Sequence, residues 1–441
     1  MEIYQENRRK ILTRTNIYII LFFLLNIIQP PFIFFSFFPT YYKLAIAVLL
    51  IILLSIFFAY QLSSFSHNNK ITFRCSYFFL FYIAINIIYF CILLFEPSNY
   101  RYVISDISQL IALILSYLFF VNILNNINYI KLYVKFITFI SAINTIGYLL
   151  MSLGLLKPFS EFESGFSKSQ DIFYNYIFFV VQKKLLTELS SFNLSRTCGY
   201  FDEPGTFGFF LTFAIVLYNL FFSEKSKHIL IELILLITGL TTFSLGFYIS
   251  IAIFYIAIKL DIKAVANYIK NILFPKKKHI WYYFLLIMLF ALPPILISNE
   301  DITRYLQTEI FTRLEFTGDE RIIAGNNRAD GFTNGLSRFL ERLWFGWGPG
   351  LAHKYFQGEF EFASLAGPLV QHGLIGTIFI IHLPFFRVLF QLISSAKKEF
   401  IIGGVILILN FMQRPFNFNS PLILLGLFFI VDYYFSKRFR A

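Results

Sequence analysis

Apolar runs of about 20 residues recur along nearly the whole chain, and this feature constrains the fold more than any other. A run of that length is what an α-helix needs to cross a hydrocarbon core of roughly 30 Å. With 57% hydrophobic and 14% charged residues in 441, the chain has too little polar surface for water to solvate it as separate globular domains. The sequence therefore predicts an all-α polytopic membrane protein.

Twelve apolar runs are bounded by polar or charged residues, and we predict each as a transmembrane helix within a single transmembrane domain, residues 1–441. The predicted spans are 17–38, 44–62, 75–95, 104–124, 133–156, 205–222, 228–244, 246–260, 280–298, 365–391, 399–412 and 420–435. Two hydrophilic segments between spans are large, 157–204 and 299–364. The first contains an apolar stretch at 171–186, which we predict as a helix lying along the membrane interface.

Lysine and arginine set the orientation, because basic residues near span ends are retained on the cytoplasmic side. With the N-terminus inside, 22 of the 37 basic residues lie in inner segments, most densely at 259–279. The short outer connections hold only Lys43, Arg101 and Arg414. The sequence therefore predicts that both termini are cytoplasmic and that both large segments lie outside. Topology also accounts for the net charge of +12, so nucleic acid is not an expected partner.

Arginine is concentrated in the second large outer segment, which has six arginines and one lysine, whereas the inner loops are mostly lysine. The planar guanidinium group presents paired donors that match phosphate oxygens. The cluster therefore suggests an anionic ligand on the outer side. The alternative is that the arginines pair with the ten acidic residues of the same segment and hold it folded, which we favour for most of them.

Two stretches stand out by their spacing. In SRTCGYFDEPGTFG, residues 195–208, Arg196, Asp202 and Glu203 lie just before a span, although carboxylates and a proline there also fit an ordinary helix N-terminus. In NNRADGFTNGLSRFLERLWFGWGPGLAHKYF, residues 326–356, an amphipathic segment runs into glycines. These glycines allow a close approach to a ligand or a tight turn, and we favour the turn.

Isolated ionisable residues complete the set of candidates. His353 is expected in an exposed loop and His372 near the outer end of the next span, and a lone histidine is more often structural than catalytic. Asp106 lies inside the outer end of its span and Glu232 close to an inner end. Such intramembrane charges are expensive, and their scarcity argues against a proton-coupled carrier.

These motifs, in this order, resemble the O-antigen polymerase family, often called Wzy, within the wider group that includes the O-antigen ligases. The motifs are SRTCGYFDEPGTFG, TTFSLGFYIS, NNRADG with FGWGPG, SLAGPLVQHGLIG and QRPFNFNSP. The resemblance implies a GT-C-like fold in the bacterial inner membrane with two large periplasmic loops. It also implies a lipid diphosphate held by arginines, for which Arg196, Arg321, Arg328 and Arg414 are the candidates.

The resemblance implies that the chain joins undecaprenyl-diphosphate-linked oligosaccharide repeats at the periplasmic face. Glu203, Asp202, Asp106 and His353 are the candidate general bases, and we favour Glu203. The expected partners are the lipid-linked oligosaccharide, membrane lipids and a chain-length regulator protein, and no cofactor or metal is expected. The alternatives are a flippase or exporter of the same repeats, and the ligase, which usually carries a histidine where this chain has residues near Phe362.

Overall fold

The computed structural model describes residues 75–123, 126–163, 172–182, 195–201, 203–222, 229–259, 327–355, 366–394, 397–413 and 420–438, with isolated helical residues between 19 and 56. The helices within these ranges are α1 (Tyr77–Leu93), α2 (Tyr100–Ile123), α3 (Asn126–Ser152), α4 (Pro204–Phe221), α5 (Ile229–Thr241), α6 (Leu245–Lys259), α7 (Asn327–Glu341), α8 (Pro349–Tyr355), α9 (Ala366–Gly376), α10 (Leu383–Ser394), α11 (Lys398–Gln413) and α12 (Pro421–Arg438). A short 3-10 turn, Pro97–Asn99, joins α1 to α2, and a π-helical turn, Thr377–His382, joins α9 to α10.

Helices occupy the positions of nine predicted spans, those from 75–95 to 246–260 and from 365–391 to 420–435. The remaining three, 17–38, 44–62 and 280–298, lie wholly or mainly outside the described residues. The average hydropathy of about 20 consecutive residues depends only on those residues, so it locates apolar helices well.

Three segments of the described chain are long and apolar enough to cross a membrane, Tyr102–Val121, Tyr129–Ser152 and Pro204–Phe221. A fourth is formed if Ala366–Phe379 and Leu383–Leu392 are taken as one span bent by 47°. Helices α1, α5, α6 and α12 are apolar but shorter. The apolar helices indicate a membrane-embedded protein.

Helix α4 is the centre of the bundle, because 78% of its apolar segment is buried inside the protein. A helix that is hydrophobic on all sides must be surrounded by other helices or by lipid. Here other elements surround it, and α3, α5, α6 and α11 all pack against it. Aromatic rings fill the interior nearby, as where Phe201 stacks on Phe210 with ring centroids 4.5 Å apart. The N-terminus of α4 is therefore fixed by the core of the bundle.

Two carboxylates inside the helical bundle are paired with tyrosines. Tyr117 donates a hydrogen bond to Asp432. Tyr255 donates to Glu232, which also accepts from Asn219 Nδ2 at 3.3 Å. Because an isolated charge in an apolar interior is expensive, these bonds explain how both carboxylates are accommodated.

The described parts of the first large hydrophilic segment fold as an antiparallel sheet, so the all-α prediction is wrong here. Its strands, in the order β1 (Ser160–Glu163), β2 (Ile172–Asn175), β3 (Val180–Gln182) and β4 (Arg196–Gly199), pair each with the next. The apolar stretch predicted as an interfacial helix at 171–186 instead contributes the β2–β3 hairpin. Its described part spans residues 172–182.

The hairpin is held against α3 by aromatic packing. Phe179 stacks on Tyr176 with ring centroids 4.8 Å apart, and both pack with Tyr148 and Met151 of α3. At the tip, Ile177 has φ 70°, a conformation that β-branched residues rarely adopt. Aromatic packing against α3 therefore outweighs the backbone preference of Ile177. This is why the apolar pattern of the sequence wrongly predicted a helix.

Candidate functional site

Arg196 begins strand β4, at the edge of the sheet nearest the helical bundle. It pairs in register with Gln182 of β3, and its side chain is half-buried. Its Nε donates to the backbone carbonyl of Thr242 at 3.4 Å. Thr242 lies in the turn between α5 and α6, so the structure brings SRTCGYFDEPGTFG and TTFSLGFYIS into direct contact.

Small residues hold the two motifs together beneath this contact. Gly208 of α4 lies against Ser244 and Phe247, and a Cβ there would be 3.2 Å from either residue's Cβ. On α5, Gly239 faces the Phe247 ring so closely that no side chain fits. The helix that opens after Glu203 is therefore locked to the α5–α6 turn that Arg196 contacts.

Glu203 occupies the N-cap position of α4, with Pro204 as the first helical residue. Its backbone carbonyl accepts from Phe207 N at 3.1 Å, but its half-buried side chain does not cap the helix. The carboxylate is thus held at the end of the bundle without serving the helix as a cap. A tight turn follows β4 and is closed by Phe201 N, which donates to Cys198 O at 2.9 Å. Arg196 and Glu203 therefore lie on either side of one turn.

Tyr200 occupies that turn and is partly enclosed by the bundle. Burial raises its pKa from the ordinary 10.0 to about 12. The phenol is therefore neutral across the physiological range and contributes packing, not charge, between the strand and α4.

A polar face of α3 lies beneath β4, and the sequence-based prediction did not include it. Ser141, Asn144, Thr145 and Tyr148 recur at intervals of three and four, so they share one face of the helix. Thr197 of β4 donates to Asn144 Oδ1 at 2.6 Å, and Tyr148 donates to the Ser195 carbonyl at 2.8 Å. The signal available in the sequence was this spacing within an otherwise apolar span.

The same face contacts α5 through hydroxyl groups. Thr238 lies 2.7 Å from Thr145 between their hydroxyl oxygens, and it also reaches the Ser141 carbonyl at 3.1 Å. Among the residues the structure describes, Ser141 Oγ and Asn144 Nδ2 are enclosed and have no hydrogen-bond partner. Polar side chains thus continue inward from Arg196 into the bundle.

The glycine-rich motif FGWGPG packs across α9 at Gly373, where the helix is interrupted by non-helical backbone angles. Trp347 N donates to Val370 O at 2.8 Å and Gly348 N to Gln371 O at 2.9 Å. In the other direction, two amides of α9 donate to this loop, Leu374 N to Leu343 O at 2.8 Å and Ile375 N to Trp344 O at 3.0 Å. We name these four bonds the glycine crossing.

Two glycines make the crossing possible. Gly346 has φ 70° and Gly373 has φ 64°, and a Cβ on Gly346 would lie 2.5 Å from Gly373 N. Only glycine permits backbones to approach so closely in this conformation. Gly346 N also donates to Arg342 O at 3.0 Å, so this glycine closes a turn, as the sequence favoured, and together with Gly373 it allows the close approach of two backbones.

The turn between α1 and α2 receives the other side of this motif. Gly350 N donates to Asn99 Oδ1 at 2.8 Å, while Asn99 Nδ2 donates to Leu93 O at 3.3 Å. Gly348 also lies directly against the Asn99 amide. One buried asparagine thus ties the glycine-rich motif to the first described helices.

His372 is buried immediately before Gly373. Its Nδ1 lies 3.0 Å from the Tyr89 hydroxyl. His372 therefore forms a buried polar contact with Tyr89, which is remote from it in sequence. Asp106 lies in α2.

The other predicted site residues are only partly described. His353 lies in helix α8 and not in a loop, which corrects the expectation, and Arg328 lies in α7, while the side chains of both are outside the described part. Asp202, Arg321 and Arg414 lie outside the described residues altogether. Of the seven predicted site residues, Arg196 and Glu203 are therefore the two whose side chains the structure describes.

No group of three or more histidine, cysteine or carboxylate side chains that would suit a metal ion occurs in the part of the chain that the structure describes. Comparison with models of known protein families finds no match, and comparison with curated proteins finds none either. The function must therefore be argued from the residues themselves.

Proposed function

We propose that this chain polymerises undecaprenyl-diphosphate-linked oligosaccharide repeats at the periplasmic face of the bacterial inner membrane. The proposal includes a GT-C-like bundle of twelve spans with both termini cytoplasmic. The observation that carries it is the position of Arg196, a guanidinium fixed against the α5–α6 turn with Glu203 one turn away. An arginine and a carboxylate on either side of one turn at the end of an apolar bundle suit a lipid-borne anion and a hydroxyl nucleophile.

In the proposed reaction, a hydroxyl of one lipid-linked repeat attacks the anomeric carbon of the growing chain. The new glycosidic C–O bond forms while the C–O bond to the diphosphate breaks, and its electron pair leaves with the undecaprenyl diphosphate. The Glu203 carboxylate accepts the hydroxyl proton. Arg196 stabilises the negative charge that develops on the leaving diphosphate. The polymer then grows at its reducing end.

Arg328 is proposed as a second ligand of the diphosphate, together with Arg321 and Arg414. The flippase alternative requires no developing charge on a leaving group, so it gives no role to an arginine that acts together with a general base. The ligase alternative uses the same leaving group but transfers the polymer to lipid A core. Gel analysis of lipopolysaccharide separates the polymerase from both, because loss of a polymerase leaves core plus one repeat, whereas loss of a flippase or ligase leaves bare core.

The test uses a deletion strain complemented with variants. Arg196→Ala is expected to lower the polymerisation rate by roughly 10²-fold and so collapse the ladder to one repeat, because an electrostatic donor to the leaving group is lost. Arg196→Lys keeps the charge but not the paired donors, so we expect an intermediate ladder. The matched control is Arg338→Ala, since Arg338 is exposed and bridges to Glu341 at 2.9 Å on α7.

Immunoblots of membrane fractions must show equal amounts of each variant, because Arg196 also contacts the Thr242 carbonyl. Full-length ladders from Arg196→Ala at normal expression would refute the diphosphate role. Reporter fusions that place residues 299–364 in the cytoplasm would refute the proposed topology, and with it the function.

A further inference from the structure

Helix α7 and the turn after it expose large apolar side chains although the helix itself is not a candidate span. Leu340 is 64% exposed and Trp344 58%, and Leu336 and Phe345 are also exposed. We name these four residues the α7 patch. Contiguous exposed apolar side chains of this kind mark a surface that contacts something other than water.

The described part of α7 has three distinct faces. Phe339 is buried and packs with Ala352 and Val370, which fixes one side of the helix to α8 and α9. At about 100° per residue, Leu336 and Leu340 share a second side, while Arg338 points about 160° away from Leu340. Arg338 bridges to Glu341, so the third side is charged. One flank is therefore attached to protein, one is apolar and one is charged.

This division is typical of a helix lying in the plane of a membrane surface, with its apolar side in the headgroup layer and its charges in water. Tryptophan and phenylalanine at Trp344 and Phe345 are common at that depth. Trp347, by contrast, lies under the Arg342 guanidinium at 4.2 Å and donates to the Arg338 carbonyl at 3.0 Å. The two neighbouring tryptophans thus have different surroundings.

The occupant of the α7 patch is indicated by its neighbours. Through the glycine crossing, Trp344 O accepts from Ile375 N, so the patch adjoins the bent pair that is long and apolar enough to cross a membrane. That pair itself exposes Ile378 and Phe379. Exposed apolar side chains therefore occur both on the patch and on the candidate span bonded to it, as lipid would require and a docked soluble protein would not.

We propose that the α7 patch is embedded in the interfacial layer of the lipid bilayer, so that α7 lies along the membrane surface and does not project into water. The bilayer then holds the glycine crossing at headgroup depth. The proposal uses only the exposed side chains and the adjoining span, so it stands or falls independently of the polymerase reaction.

The first test is tryptophan quenching in nanodiscs of phosphatidylcholine brominated near the headgroup. The chain has three tryptophans, Trp281, Trp344 and Trp347. A variant with Trp344 alone, Trp281→Phe with Trp347→Phe, is expected to be quenched several-fold more than the matched variant with Trp347 alone. Aqueous iodide should quench Trp344 weakly. Strong quenching by iodide together with no effect of the brominated lipid would overturn the proposal.

The second test leaves all tryptophans in place, in case Trp347→Phe disturbs folding. Spin labels are attached at Leu340→Cys and at Arg338→Cys in a chain whose cysteines, Cys75, Cys91 and Cys198, are replaced. Collisions with oxygen, which concentrates in lipid, should dominate at position 340, and collisions with a water-soluble nickel chelate at position 338. Equal nickel accessibility at the two positions would overturn the proposal.

Discussion

Replacement of Gly373 by alanine tests the glycine crossing, which joins the second large hydrophilic segment to a candidate span. Gly373 has φ 64° and ψ −172°, a backbone conformation that residues other than glycine essentially do not adopt. A Cβ there would lie 2.5 Å from Phe345 N and closer still to Gly346 N. Both atoms belong to backbone, so neither can rotate away as a side chain would.

The cost can be built up from these contacts. The backbone conformation alone costs about 1–3 kcal/mol for alanine. Separating the two backbones costs roughly another 1–3 kcal/mol, as overpacking does in a core. Each of the crossing hydrogen bonds that is lost adds about 0.5–1.5 kcal/mol. With these two terms and the loss of one crossing bond, we expect Gly373→Ala to lower the free energy of unfolding by about 2.5–7.5 kcal/mol.

The assay is unfolding by sodium dodecyl sulfate in mixed micelles, followed by circular dichroism. Gly154→Ala is the matched control, because Gly154 has φ 71° but no neighbouring atom lies within 4 Å of the place a Cβ would take, so only the backbone term of about 1–2 kcal/mol applies. The difference between the variants isolates the close approach. If Gly373→Ala costs no more than Gly154→Ala, the crossing does not constrain the fold as argued.

Three further predictions concern the region around Arg196. Glu203→Gln should lower the polymerisation rate by roughly 10²-fold or more and leave binding of the lipid diphosphate unchanged, as measured with purified protein and radiolabelled lipid-linked repeat; unchanged turnover would remove Glu203 as the base. Asn144→Ala should lower the free energy of unfolding by about 1–3 kcal/mol, because the buried Thr197 hydroxyl loses its acceptor, whereas Thr197→Val in the Asn144→Ala chain should recover part of that loss. Because burial raises the pKa of Tyr200 to about 12, its contribution to stability is present below pH 10 and is lost as the pH rises towards 12. Tyr200→Phe should therefore weaken the alkaline loss of stability in detergent titrations, and identical pH profiles would contradict this.

The positions of the helices could be predicted from the sequence because hydropathy is local. The sequence singled out the two motifs that contain Arg196 and Thr242. It gave no indication that these two residues are in contact. It depends on small residues such as Gly208 and Gly239, which allow α4, α5 and α6 to pack closely. Motif order thus selected these two segments but could not give their geometry.

The sheet could not be predicted, for a physical reason visible at its hairpin. Between Ile172 and Val181 the stretch is aromatic and apolar apart from Asn175, so it carries no clear two-residue alternation that would have indicated strands. At its turn, Ile177 adopts a left-handed backbone conformation that is strongly disfavoured for β-branched residues. What decides the structure is pairing with β4 and packing of Phe179 on α3, both of which join residues distant in sequence.

The glycine crossing has a mechanical consequence. Because four backbone bonds join residues 343–348 to residues 370–375, α7 and α8 cannot shift without carrying the first half of the bent pair with them. A ligand that binds more tightly to one position of α8 must then also favour the matching position of α9. A change in the position of α9 must alter the affinity of that ligand by the same coupling free energy. Events at the surface and inside the bilayer are in this way thermodynamically linked.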